Sequence, residues 1–123
     1  MLSESERNEL KEKFSKVFDL IIKRFLGRPF AEVFTSYVRF RSGRKSIPEC
    51  MLEDPQGFFN IAVSFFGSEE ALESFIKVAI RYVVDNHGEA DVISSSLLSS
   101  LKRNDKQSLL DTIRELCRKA LVC

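Results

Sequence analysis

Between Ser36 and Ser46 the chain reads SYVRFRSGRKS, with Arg39, Arg41, Arg44 and Lys45 interleaved with Tyr37 and Phe40. Rings that stack on bases, alternating with cations that neutralise phosphates, make a surface for nucleic acid. Arg39, Phe40, Arg41, Arg44 and Lys45 are therefore the candidate contact residues. The same set would also serve as a basic patch for an acidic protein partner.

Catalytic chemistry finds less material. His87 is the only histidine, so no histidine cluster can hold a catalytic metal. Its expected place is the last turn of a helix, where a polar or cationic ring meets unpaired carbonyls. No nucleophile elbow, phosphate-binding loop or dinucleotide fingerprint occurs. The acid pairs Glu53–Asp54 and Glu69–Glu70 fall at expected helix starts, where capping and the helix dipole account for them. No catalytic, cofactor-binding or metal-ligating residue is expected, and the chain reads as a non-enzyme. Cys50, Cys117 and Cys123 are odd in number and lack C-x-x-C spacing, which suits reduced cytosolic thiols, with Cys123 an incidental thiol near the chain end.

The elements that must position these residues are all helical. Leu10, Phe14, Val17, Phe18, Ile21, Ile22 and Phe25 share one helical face; Ser3 and Glu6 have capping-box spacing before it, and Gly27 and Pro29 stop it. A second helix is expected from about Pro29 to Arg41, burying Phe30, Val33, Phe34, Tyr37 and Val38, with only Phe40 off its core face. Ser46 and Glu49 allow one short turn. Asp54 and Pro55 then start a helix that is apolar nearly all round as far as Phe66, and such a helix needs neighbours on every side. Gly67 closes it and Ser68 opens the next, whose face of Leu72, Phe75, Ile76, Ala79, Ile80, Val83 and Val84 is expected to end at Asn86, His87 and Gly88. A weaker, serine-rich helix follows from about Asp91 to Lys102. Asn104 or Asp105 caps a last one burying Leu109, Leu110, Ile113, Leu116, Cys117 and Ala120.

Composition agrees with a single packed domain over residues 1–123. Hydrophobic residues make up 44% and charged residues 30%, with eleven Phe and no Trp. The longest nearly apolar run, Phe58 to Phe66, is nine residues, against the roughly 20 a membrane span requires. The charged start, MLSESERNELKEK, does not read as an export signal, so a cytoplasmic protein is expected.

Net charge is only +1, yet residues 23–45 carry +6 and residues 46–91 carry −7. The acidic half counts against a dedicated nucleic-acid binder, because it repels phosphate within a Debye length of about 10 Å. It favours complementary protein surfaces, and the two stretches can meet across a two-fold axis. A homodimer, or a complex with another protein, is the expected assembly. Nucleic acid is the alternative partner and a membrane is not one.

The segment LEDPQGFFNIAVSFFGSEEALESFIKVAIRYV, Leu52 to Val83, resembles the Nitrosopumilus-type output domain found alone or attached to archaeal regulatory proteins. The resemblance lies in Asp54, Pro55, Phe59, Phe66 and Gly67, and it implies a regulatory or interaction role without catalytic residues. Together these observations predict an all-α bundle of five to six helices around the central apolar helix at about 55–66, acting as a small protein-interaction or regulatory module.

Overall fold

The computed structural model describes residues 3–120, all of whose regular structure is helical. The seven α-helices are α1 (Glu4–Leu20), α2 (Arg28–Ser42), α3 (Ile47–Glu53), α4 (Pro55–Phe66), α5 (Glu69–Val83), α6 (His87–Lys102) and α7 (Lys106–Lys119); a π-helical segment, Ile21–Leu26, continues α1. The count exceeds the expected five to six because the short turn after Ser46 closes into a helix of its own. Ser46 caps it by accepting from the Glu49 N–H, and the Asp54 N–H ends it on the Cys50 carbonyl.

Most boundaries follow local chemistry. Ser3 and Glu6 form the reciprocal capping box, while Asp54, Ser68 and Asp105 each accept from a backbone N–H in the first turn of the helix they precede. Two boundaries differ from expectation. Val84 leaves α5 in an extended conformation, and Asn86 caps α6 by accepting from the Glu89 N–H. His87 is thus an exposed residue in the first turn of α6, not the last turn of α5, and Gly88 lies inside a helix it was expected to precede. The second difference is the π-helical segment, in which the consecutive Ile21 and Ile22 are both buried.

Helix α6 lies against α4, α5 and α7, and α7 returns to α1 and α3. Helix α4 packs on α2, α3, α5 and α6. Neighbours do not cover it on every side, however: Gln56, Asn60 and Ser64, four apart, form an exposed polar edge. The apolar run in the sequence is interrupted at two of these three positions for that reason.

Candidate interaction surface

Helix α2 is bounded by two glycines in conformations that side chains disfavour, Gly27 at φ 88° and Gly43 at φ 74°. Pro29 sits in its first turn, where a missing N–H costs nothing, and the Gly43 N–H closes the other end on the Arg39 carbonyl at 2.9 Å. Ala31, Phe34 and Val38 face inward and are buried. Beneath the helix the rings form a continuous chain. Phe34 and Phe30 meet Phe65 at 4.8 and 5.6 Å between centroids, Phe66 stacks on Phe75 at 4.7 Å, and Phe75 leads through Phe25 to Tyr82. Tyr37 touches Phe65 and its hydroxyl shares a 2.8 Å hydrogen bond with Ser64.

The opposite face of α2 has no partner among the described residues. Pro29, Val33, Ser36 and Phe40 follow one another at intervals of four, three and four, and all four are exposed, Val33 by 59% and Phe40 by 89%. Alternating steps of four and three draw one straight seam along a helix. Periodicity places Phe30 and Val33 with the buried residues, and both are exposed, Phe30 by 36%. Val33 is exposed because the core-facing arc is set by Ala31, Phe34 and Val38, and Val33 lies about 100° or more around the helix from each of them. Phe30 and Tyr37 flank the seam on one side, Glu32 and Arg39 on the other.

The five residues singled out from the sequence do not share one direction. Arg39, Phe40 and Arg41 are consecutive on a helix and so point about 100° apart. Arg41 lays its guanidinium over the Tyr37 ring at 4.8 Å. Arg44, beyond the Gly43 turn, pairs with Glu53 at 3.2 Å. Lys45 is exposed, while its backbone N–H donates to Glu49. Of the five, Arg39 and Phe40 belong to the outer face of α2.

The same geometry shows how the charge asymmetry is handled. Arg44–Glu53 joins the basic stretch to the acidic one; elsewhere the acidic stretch is met by Lys102 on Glu69 at 3.0 Å, Lys119 on Glu89 at 3.2 Å, and internally by Arg81 on Asp91 at 2.7 Å. The Arg81 hydrogen bonds hold the Asp91 carboxyl below the usual carboxylate range. Lys23, Arg24, Arg39 and Lys45 have no ion-pair partner among the described residues. The basic side of the chain thus stays largely uncompensated within the fold.

Other chemistry-bearing groups are dispersed. No group of three or more His, Cys, Asp or Glu able to hold a metal ion occurs among the described residues, and no helix there is long and apolar enough to cross a membrane. Cys50 and Cys117 are buried, and Cys123 lies outside the described residues. Burial pushes the Cys50 thiol pKa up. Iodoacetamide at pH 8 is therefore expected to leave the Cys50 peptide unmodified in the folded protein over a period that fully alkylates the urea-unfolded chain. Equal rates by peptide mapping would place Cys50 at the surface.

Comparison with protein-family models, with curated proteins and with solved structures finds no match for this chain.

Proposed function

We propose that this chain is a small cytosolic protein-interaction module, organised around α4 as its central helix and docking a partner on the outer face of α2. The single observation that carries this reading is the exposed seam Pro29, Val33, Ser36 and Phe40. Val33 and Phe40 are exposed on that seam with Phe30 beside it, and apolar side chains gathered on one helix face, rather than scattered singly, are what a docking surface presents. The regulatory role implied by the resemblance of Leu52 to Val83 points the same way. A non-enzymatic role is supported by the employment of three of the four candidate acids: Glu53 is paired with Arg44, Asp54 caps α4, and Glu69 is paired with Lys102.

Photocrosslinking tests the reading. With p-benzoylphenylalanine at position 40, illumination of cells making the protein should give a discrete adduct. The same group at Arg114, exposed on α7, should give none. No adduct at position 40 above the Arg114 control defeats the proposal. Adducts abolished by nuclease and not by protease would transfer the surface to nucleic acid, the alternative that the unpaired Arg39 and Lys45 favour.

A further inference from the structure

Resting on that reading, we infer that the partner on α2 is a second copy of this chain, paired α2 against α2 in antiparallel directions about a two-fold axis. The argument is one of register. Two antiparallel helices meeting along a four–three seam stack in layers, and the seam Pro29, Val33, Ser36 and Phe40 gives a self-consistent set. Pro29 faces Phe40 of the second copy, Val33 faces Ser36, and each layer occurs twice. That register fixes the flanks without further choice. On one side Glu32 falls opposite Arg39 of the second copy, and the symmetry repeats the pair. On the other side Phe30 falls opposite Tyr37, whose ring already carries the Arg41 guanidinium at 4.8 Å, so that aromatic rings and a cation meet there, also twice.

An acid and a base at positions that a two-fold axis exchanges make the flank of Glu32 and Arg39 complementary to itself, against the repulsion of Arg28 and Arg41, which the two copies also bring together. Parallel pairing loses this: Phe40 would stack on Phe40, and Glu32 and Arg39 would face the aromatic flank. Antiparallel helices also oppose their dipoles favourably. Both charges are available. Arg39 is exposed with no ion-pair partner among the described residues, and Glu32 is held only by Arg28 at 3.7 Å in a pair whose side chains are both more than two-thirds exposed. The aromatic flank is backed from below, Phe30 by Phe65 and Phe66 and Tyr37 by Phe65 and Ser64, so it is held in place before contact. Helix α2 has 15 residues, about 22 Å of length. One helix pair of that size belongs with the weak, reversible interfaces, and the dimer therefore forms at high concentration.

Light scattering on the full chain, from about 5 μM to about 1 mM, reads this directly. The mass is expected to rise from 14.1 kDa toward twice that value. Glu32→Arg and Arg39→Glu should each raise the concentration of half-dimerisation about tenfold, since each turns two attractive contacts into two repulsive ones. Mixed in equal amounts the two variants should regain wild-type association as a heterodimer, and the double variant should regain it alone. Circular dichroism shows whether each variant keeps the native helicity, as these exposed positions should allow.

Four results would overturn the inference: a wild-type chain that stays monomeric at 1 mM, a mixture no better than its components, a dimer indifferent to both reversals, or a dimer indifferent to Phe40→Lys. If the chain stays monomeric while position 40 still yields adducts of another mass, the docking surface stands and the second copy does not. If both fail, neither stands.

Discussion

Replacing Phe66 by alanine is expected to destabilise the fold by about 3–5 kcal/mol. The side chain is only partly buried, yet it sits where three elements converge. Its ring lies 6.3 Å from Phe30, 5.5 Å from Phe34, 5.4 Å from Phe65 and 4.7 Å from Phe75. Truncation removes contacts to α2, within α4 and to α5 together, and each aromatic pair adds about 0.5–1.5 kcal/mol beyond the area it covers. The neighbouring backbone cannot readily close the gap, because Phe66 is the last residue of α4 and Gly67 turns left-handed immediately after it. Urea denaturation should show a large fall in midpoint with little change in slope. An unchanged midpoint would mean that α4 does not organise the core. Phe40→Ala is the control, expected to change stability by less than about 0.5 kcal/mol because Phe40 is 89% exposed.

Leu109→Ala is expected to cost about 2–5 kcal/mol, and the shape of its unfolding curve matters as much as its position. Leu109 is fully enclosed on α7, and α7 packs on α6, α1 and α3. The last helix therefore closes against the first one, and a cavity under it weakens both ends of the chain. Thermal melts followed at 222 nm and by tyrosine fluorescence should shift together as one transition. Tyrosine reports from Tyr37 on α2 and Tyr82 on α5, so a two-step curve, with tyrosine signal lagging helix loss, would show α7 melting as a separate unit.

Helix boundaries were legible wherever one residue both stops one element and starts the next. Asp54 with Pro55, and Gly67 with Ser68, carry their information in their own backbone preferences, so no tertiary knowledge is needed. Asn86 to Glu89 misled because a glycine after a polar pair resembles a helix end, while the N-x-x-E spacing that caps a new helix was present and competed with it. The π-helical segment had no such signal, since adjacent isoleucines fit an α-helical face nearly as well.

The surface was half legible. Phe40 stood off the core face in any helical reading, whereas Val33 matched the core spacing as well as Phe34 did. Which of two neighbouring arcs turns inward depends on the aromatic floor supplied by α4. The removal of Arg44 from the basic set depends on the path of α3, which brings Glu53 beside it across a glycine turn. Nothing local in SYVRFRSGRKS encodes that approach.

Six of the seven helices begin on a side chain that ties down their first turn; α2 has none and is strung between two glycines. Its position is consequently dictated by what it rests on and hardly at all by how it is attached. A load applied to its outer side therefore passes into the rings of Phe30, Phe34 and Tyr37, and from there to Phe65, Phe66 and Phe75. In mechanical terms α2 is a panel whose stiffness lies in its lining, so a twist applied to it is delivered to α4 and α5 through touching faces of side chains.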